Sequence, residues 1–408
     1  MNAFRVHLLR TGLLSLAGSI IFTTWMVYQI QVIGLDAFQL VLIGTIMETS
    51  IFIFEIPTGI VADVYSRRLS VIIGTFIMGG AFFIMGLFPT FAAALLAMFL
   101  WGLGYTFTSG AYEAWMVDEL GQDQAANAFM RANQIGRAAG LLGIVISAIL
   151  ASIALNLPIL VGAVLTLIGG VFLVVFMPEN GFTPIPSADR SSWQQWTDTF
   201  RSGLRVIRTR PALLNIVGVG LFFGLFSEGW DRLWQAHLIN SIGLPGLLTP
   251  VLWISLISGV DAVMGIVVTE GVRRRLDTNN RLHLTRTLLM LTATMVGAIV
   301  IYGLTSGLAL ALVAFYAFTL ARGLIGPLLS IWTNQHIDSQ VRATVLSMFS
   351  QTDAIGQMAG GPPIGIIGKL SLRLALVTSG AVLSPALFLL YRVQRKEKII
   401  DPALVTEA

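Results

Sequence analysis

The sequence contains no cysteine, few charged residues and only four histidines. Without cysteine, the 408-residue chain can form no disulfide, no thiolate metal site and no cysteine-linked lipid anchor. The histidines are scattered along the chain, so we expect no metal and no cofactor. The Gly-x-Ser-x-Gly, His-Glu-x-x-His and Gly-x-x-x-x-Gly-Lys-[Ser or Thr] motifs are also absent, which argues against familiar hydrolysis and ATP-driven work. We therefore expect no catalytic residues and no enzymatic activity.

Charge is scarce because apolar residues dominate the composition. Hydrophobic residues make up 55% of the chain and charged residues 11%, and the mean hydropathy is +0.81. This balance lies far outside that of soluble domains. A helix that crosses a bilayer needs about 20 mostly apolar residues, because lipid offers no partner for the backbone N–H and C=O groups. The composition therefore predicts an all-α protein that crosses the membrane many times.

Twelve apolar segments have the required length, and we number them as spans 1 to 12. They are predicted at residues 11–32, 38–63, 71–88, 91–118, 128–153, 157–177, 213–240, 249–270, 287–304, 308–337, 342–366 and 372–391. Short loops join most of them. The polar, proline-containing stretch at 179–210 divides the chain into an N-terminal bundle of six helices (1–178) and a C-terminal bundle of six (211–408).

The linker at 179–210 has apolar and basic residues at helical spacing. Trp193, Trp196 and Phe200 alternate with Arg201 and Arg205, which predicts an amphipathic helix lying on the membrane surface. A merely solvated basic linker is the alternative.

Basic residues also predict the orientation. Most of the 25 Lys and Arg residues fall in loops that are cytoplasmic if the N-terminus is inside, as the positive-inside rule requires. We therefore expect a cell (inner) membrane protein with both termini in the cytoplasm. The formal charge of +4 describes loops that face an anionic leaflet, and it implies no nucleic-acid partner.

The two halves of the chain share short sequences. "GIVADVYSRR" at 59–68 matches "GIVVTEGVRR" at 265–274 at five of ten positions, and "IGRAAG" at 135–140 recurs as "IGQMAG" at 355–360. Asp118 and Asp338 are separated by the same 220 positions as this second pair. Because six spans separate equivalent segments, both halves have the same sense in the membrane, which predicts parallel repeats.

Twelve spans in two parallel repeats, with spans 3, 6, 9 and 12 free of charged residues away from their ends, resemble the major facilitator superfamily (MFS). The resemblance covers the whole chain and is drug- or metabolite-efflux-like. Its most specific element is the superfamily's loop 2-3 signature, Gly-x-x-x-Asp-x-x-Gly-Arg-[Arg or Lys], which Gly59, Asp63, Arg67 and Arg68 match here; Ser66 replaces the second glycine. The resemblance implies two pseudo-symmetric six-helix bundles that work by alternating access.

The resemblance also implies a set of gating residues. The aspartate and arginines of the signature, Asp63, Arg67 and Arg68, would latch the outward-facing state at the cytoplasmic end, or else only fix topology. Glu113 is expected at an inner gate. In the family's packing, helices 5 and 8 meet, which makes Arg137 and Asp261 an expected permanent or gating pair.

Charged residues at membrane depth form a second set. Glu48, Arg137, Glu228, Asp261, Arg322 and Asp353 each lie near the centre of a span. Four carboxylates against two guanidinium groups require that about two acids be protonated, hydrated or matched by a cation. We expect Glu48, Glu55, Glu228 or Asp353 to carry a proton and Arg322 to pair with Glu228 or Asp353; salt bridges that only hold helices together are the alternative.

By resemblance, helices 1, 4, 7 and 10 line the substrate cavity, and their residues are notably aromatic. The expected substrate-binding residues are Trp25, Tyr28, Gln29, Trp101, Tyr105, Glu228, Arg322 and Trp332.

We therefore expect a secondary active transporter, working as a monomer with a small-molecule substrate, protons and the lipid bilayer as its partners. Proton-driven export of lipophilic or cationic compounds is the favoured hypothesis. The arginine and the proline-containing glycine motif that drug–proton antiporters of the superfamily carry in helices 4 and 5 are missing here. Proton-coupled uptake or uniport of a small metabolite therefore remains the alternative, followed by a transporter-like sensor.

Overall fold

The computed structural model describes residues 1–184, 201, 211–277, 280–336 and 342–400. The predicted amphipathic helix of the linker falls almost wholly outside these residues, as does Asp338. Within them the regular structure is helical. The α-helices are α1 (Ala3–Gln31), α2 (Ala37–Val64), α3 (Arg67–Leu87), α4 (Phe91–Thr108), α5 (Ala111–Leu120), α6 (Gln122–Ile153), α7 (Leu157–Phe176), α8 (Pro211–His237), α9 (Pro250–Arg275), α10 (Arg281–Leu304), α11 (Leu308–His336), α12 (Arg342–Leu370) and α13 (Leu372–Ile400).

Eleven helices among the described residues are long and apolar enough to cross a membrane. The helix that carries span 11, α12, is long enough at 29 residues but is not one of the eleven. Polar residues such as Gln351, Asp353 and Gln357 lower its hydropathy. Polar groups in a spanning helix are tolerated where they face protein or water, so we expect the polar side chains of α12 to face protein or water.

Span 4 was predicted as one helix, and the structure divides it into α4 and α5. The break is at Gly110, whose φ of 71° lies in the left-handed region that favours glycine. The preceding hydroxyl residue, Ser109, is in an extended conformation and ends α4. Residues 91–120 together still form one of the candidate spans, as predicted. The break was not predicted, because one glycine in an apolar run is compatible with a continuous helix.

The chain forms two compact units. The first contains residues 1–39 and 246–259 together with the described residues from 46 to 184, and the second contains residues 40–45 together with those from 211 to 245 and from 260 to 400. Two short segments are thus assigned to the unit that the other half of the chain mainly forms. Residues 40–45 belong to the N-terminal part of α2, and residues 250–259 belong to the N-terminal part of α9.

In each unit, a pair of equivalent helices packs closely with glycines at the interface. In the first unit α6 packs on α1, and a Cβ at Gly143 would lie 2.9 Å from the carbonyl oxygen of Leu16. In the second unit α12 packs on α8, and a Cβ at Gly360 would lie 2.2 Å from the carbonyl oxygen of Leu225. Small residues let helix backbones approach in this way. The equivalent helices of the two repeats therefore use the same kind of packing.

Candidate transport site

A cluster of charged residues lies on α8, α11 and α12 in the second unit. On α8, the Nε atom of Arg232 donates a hydrogen bond of 3.2 Å to Oε2 of Glu228. Both residues are buried, with exposed fractions of 7% and 2%. Their spacing of four residues places them on one face of the helix, where an acid and a base form an ion pair. Glu228 is therefore held by a charge from its own helix.

The next ion pair joins α8 to α11. Arg322 donates two hydrogen bonds to Asp231, from Nη1 to Oδ1 and from Nη2 to Oδ2, the second at 2.8 Å. A planar guanidinium that meets both oxygens of one carboxylate is the strongest form of this interaction. We predicted that Arg322 would pair with Glu228 or Asp353, and the structure pairs it with Asp231 instead. The reason is local: Arg232 already occupies Glu228, and Asp231 faces α11.

Two other carboxylates of this unit have neutral hydrogen-bond partners. On α12, Nε2 of Gln357 donates to Oδ2 of Asp353 at 2.9 Å. On α9, Oδ1 of Asp261 accepts a hydrogen bond of 2.5 Å from the hydroxyl of Thr319 on α11. An acid with a neutral partner can gain or lose a proton without breaking an ion pair, whereas Glu228 and Asp231 cannot.

The first unit contains an aromatic cluster on α1 and α4. The rings of Trp101 and Tyr105 are stacked, with centroids 5.5 Å apart and an interplanar angle of 14°. Phe22 meets Trp101 edge-on at 6.3 Å and packs against Trp25 at 5.3 Å. Phe22 and Tyr105 are 44% and 40% exposed, whereas Trp25 is buried. We call the exposed or half-buried rings of Phe22, Trp101 and Tyr105 the aromatic patch.

Three predicted substrate-binding residues are instead used for helix packing. Tyr28 is fully buried and its hydroxyl donates to the carbonyl oxygen of Met85 at 2.8 Å, and Gln29, also fully buried, contacts the sulfur of the same residue at 3.7 Å. Trp332 is buried and its indole N–H donates to the hydroxyl of Thr285 at 2.9 Å. These side chains face neighbouring helices of their own unit. A sequence does not distinguish the cavity side of a helix from its packed side when both are aromatic.

The two predicted proton carriers of α2 differ in exposure. Glu48 is half-buried and Glu55 is exposed, and both belong to the first unit. The gating candidate Glu113 is exposed in the first turn of α5. The described residues contain no group of three His, Asp or Glu side chains that could hold a metal ion.

The loop signature sits in a network of hydrogen bonds at one end of the first unit. Arg67 donates from Nη1 to Oδ2 of Asp118 on α5, and its Nη2 lies 4.0 Å from Oδ1 of Asp63. The carboxylate of Glu179 accepts from the hydroxyl of Ser66 at 2.7 Å and from the backbone N–H of Arg68 at 2.8 Å. Glu179 thus satisfies one of the free N–H groups at the start of α3 and holds the Ser66 hydroxyl.

Sequence reasoning missed two members of this network. The sequence offers one indication of Asp118, because this residue matches Asp338 in the repeat. The match aligns the two halves, but it does not identify Arg67 as the partner of Asp118. Glu179 has no such signal, because it follows α7 and is more than 100 residues from its partners. Arg68 also donates from Nη2 to the carbonyl oxygen of Val174 at 2.6 Å. The segment after α7 therefore holds the signature in place.

The two members of the predicted gating pair each have a partner within their own unit. Arg137, exposed on α6, donates from Nε to the side-chain oxygen of Asn133 at 3.3 Å. Asp261 is held by Thr319. Their pairing with each other stays a prediction.

Comparisons with known proteins agree on one family. The sequence model described as Major Facilitator Superfamily matches residues 8–361. An MFS-type transporter of Bacillus subtilis (strain 168), YxaM, described as uncharacterized, is 25% identical over 399 residues, which are 96% of both chains.

Solved structures share the fold at low identity. The nucleoside transporter NupG is 14% identical, with a TM-score of 0.73 over 96% of this chain and 99% of that chain. A POT family transporter, solved with a thioalcohol-conjugated peptide, is 12% identical with a TM-score of 0.73 over 96% of each chain. These likenesses establish the fold of the chain.

Proposed function

Because the chain belongs to the Major Facilitator Superfamily, we propose that it is a proton-coupled secondary transporter that exports lipophilic small molecules. Family membership makes the protein a multi-pass membrane transporter. The coupling ion, the substrate class and the direction are our proposal.

The observation that carries the coupling proposal is the pairing of Asp353. Among the carboxylates of the second unit, Glu228 is paired with Arg232 and Asp231 with Arg322. Asp353 and Asp261 have an amide and a hydroxyl as partners. An ionised carboxylate at membrane depth is costly unless it is paired or hydrated. Proton uptake by Asp353 removes that cost and leaves both ion pairs intact.

We assign different roles to the acids that we predicted as proton carriers. Asp353 is the principal carrier, and Asp261 is a second candidate. Glu228 holds Arg232 and orders the cluster, since protonating Glu228 would remove the negative charge that this buried guanidinium contacts. Glu48 and Glu55 remain candidate carriers in the first unit.

The aromatic patch supports a lipophilic substrate. Exposed aromatic faces bind apolar rings through area burial and ring stacking, worth about 0.5 to 1.5 kcal/mol per ring pair beyond burial. Phe22, Trp101 and Tyr105 offer such faces on α1 and α4. The buried ring of Trp25 packs against Phe22. Tyr28, Gln29 and Trp332 are left out of the proposed substrate contacts, because their polar atoms are used inside the bundles.

We propose that the signature network acts as the inner gate. Asp63, Arg67 and Asp118 form a chain of charges that can break and reform, while Glu179 keeps the start of α3 in position. Arg68 and Glu113 lie at the same end of the unit and complete the gate.

Uptake of a small metabolite with protons is a second candidate, because Arg137 offers a cationic group on an exposed, polar face of α6. In either case we place the protein in the cell (inner) membrane as a monomer with both termini in the cytoplasm, following the positive-inside rule.

The coupling proposal is tested in proteoliposomes loaded with the pH indicator pyranine. The probes are 1-naphthylacetate, 1-naphthylacetamide and 1-naphthylmethylamine, and protein-free liposomes correct for passive permeation. We expect at least one probe to cause a protein-dependent change in internal pH. Asp353→Asn should reduce that change by roughly tenfold or more, because an amide cannot carry the proton.

The matched control is Asp353→Glu, which keeps a carboxylate and should retain much of the signal. Probe movement that is equal with and without a pH gradient, or that survives unchanged in Asp353→Asn, would contradict the role of this residue.

A further inference from the structure

Arg137 occupies the middle of a helix that crosses the membrane. It is the sixteenth of the 32 residues of α6, counted from Gln122. At a rise of about 1.5 Å per residue it lies more than 20 Å from either helix end. Its neighbour Gly136 packs against Ser15 of α1, so this turn of α6 lies next to α1. A charged guanidinium at this depth is costly unless it is paired with a carboxylate, hydrogen-bonded or hydrated.

The compensation that its own unit provides is weak. Arg137 is hydrogen-bonded to the neutral side chain of Asn133, one turn earlier, at 3.3 Å. It makes no ion pair with a carboxylate among the described residues of this unit. The arginines of the second unit differ, since Arg232 and Arg322 both contact carboxylates. Arg137 thus keeps its donors and its charge available.

The surface around Arg137 changes character at this residue. On the same face of α6, the preceding turn exposes the polar residues Asn133 and Gln134, and the turns before it expose Met130 and Asp123. The following turns carry the apolar residues Leu141, Ile144 and Val145. An exposed polar face on a spanning helix faces water or polar ligands, since hydrocarbon cannot solvate it. Arg137 is therefore the last polar group on a hydrated face.

We propose that Arg137 binds an anionic group, a carboxylate or a phosphate, of the transported molecule. A guanidinium presents parallel N–H donors that match both oxygens of such a group. Its position at the end of the hydrated face lets a charged ligand reach it through water. Beyond it the face becomes apolar, as the non-ionic part of an amphiphilic ligand requires. Arg137 is a binding residue, in addition to the gating role predicted from the sequence.

The aromatic patch indicates the chemistry of the rest of the transported molecule. Gly136 contacts Ser15 of α1, and Phe22 lies seven residues further along the same helix, about 10 Å. An extended arginine side chain and a small organic acid together span this distance. The substrate class that fits the first unit is therefore an aromatic or lipophilic acid. This inference rests on the transport function proposed above, but not on proton coupling or direction.

The test is equilibrium binding to the full-length protein in phosphatidylcholine nanodiscs, which contain no anionic headgroup to compete. The ligands are 1-naphthylacetate and its neutral amide, 1-naphthylacetamide, measured by calorimetry. We expect the wild type to bind the anion about tenfold more tightly than the amide. Arg137→Gln should remove this preference and leave the affinity for the amide unchanged. Arg137→Lys should keep part of it.

The matched control is Arg131→Gln, which removes an exposed arginine near the start of the same helix and should keep the preference. The proposal is overturned if the wild type binds the anion no more tightly than the amide, if the preference survives Arg137→Gln, or if Arg131→Gln also removes it. The first of these outcomes needs no variant and decides the matter even if Arg137→Gln does not fold. A lost coupling signal in Asp353→Asn with an intact anion preference, or the reverse, shows which proposal fails.

Discussion

The middle turns of α6 and α12 make the same hydrogen bond with opposite charge. In α6, Arg137 donates to Asn133; in α12, 220 positions later, Gln357 donates to Asp353. Both bonds join residues four apart, so both close one helical turn. The N-terminal member of the pair accepts in each case. The first pair carries a positive charge and the second a negative charge.

This difference separates what the two halves share, which is helix packing, from what they do not share, which is charge. The helix packing is common to both, since glycines of α6 meet α1 and glycines of α12 meet α8. The charge in the middle of the helix is not common. A cationic pair suits an anionic ligand, and an acid with an amide partner suits a proton. One framework thus holds two different binding groups, and we propose that each half has its own ligand.

The largest expected effect comes from giving α6 the residues of α12. The double variant Asn133→Asp with Arg137→Gln has the acid and amide pair in the first unit. Because the cationic group is gone and a carboxylate replaces an amide, the binding preference for 1-naphthylacetate over 1-naphthylmethylamine should reverse, by about tenfold or more overall. Calorimetry in nanodiscs measures both affinities.

The single variant Asn133→Asp separates the two contributions. It keeps Arg137 but supplies a carboxylate one turn away, so the anion should bind more weakly while the amide is unaffected. An unchanged preference in the double variant would show that the charge on α6 has no part in ligand selection.

The framework was largely predictable from the sequence, whereas the pairing of charges was not. Runs of about 20 apolar residues report helices directly, because each backbone group must be bonded within the helix. Gly110 was the exception, since its φ of 71° depends on the local turn and not on hydropathy. The repeat of "IGRAAG" as "IGQMAG" aligns Arg137 with Gln357. It does not show that each of them bonds to the residue four positions earlier.

The sequence predicts which charged residues lie near the middle of a span, but it does not predict the direction of each side chain. Glu228, Asp231 and Arg232 lie within one turn and a half of α8, and their partners depend on rotations of about 100° per residue relative to α11 and α12. That is why Arg322 was expected on Glu228 or Asp353 and is found on Asp231. The same limit applies to Tyr28 and Trp332, which face the interior of their bundles.

Equivalent glycines in the two halves differ in how closely they are packed, and this predicts a difference in stability. A Cβ at Gly360 would lie 2.2 Å from the backbone oxygen of Leu225, whereas a Cβ at Gly140 would lie 3.1 Å from the hydroxyl of Ser19. A backbone oxygen cannot move without shifting its helix, but a serine side chain can rotate. Gly360→Ala should therefore destabilise the protein by about 1 to 3 kcal/mol, and Gly140→Ala by clearly less.

Thermal unfolding of the purified variants in one detergent measures this difference, and Gly259→Ala is a control, since a Cβ there meets nothing within 4 Å. Equal losses at Gly360 and Gly140 would mean that the two helix pairs are not packed differently.

The two copies of the signature should give the smallest pair of effects, because the first copy contacts other helices, whereas the contacts described for the second copy join exposed residues of one helix. In the first copy, Arg67 contacts Asp118 on α5, and Asp118→Asn removes the charged partner of a half-buried arginine. Hydrogen exchange at the start of α3 should become several-fold faster, since a hydrogen bond to a charged group contributes about 1.5 to 3 kcal/mol and part of it is lost.

In the second copy, Glu270 contacts Arg273 and Arg274, all three on the surface of α9. Exposed pairs within one helix stabilise little, so Glu270→Gln should leave exchange in residues 265–277 unchanged. The second copy has Thr269 where the first has Asp63. Faster exchange in both variants would show that the second copy also stabilises its surroundings, even without this aspartate.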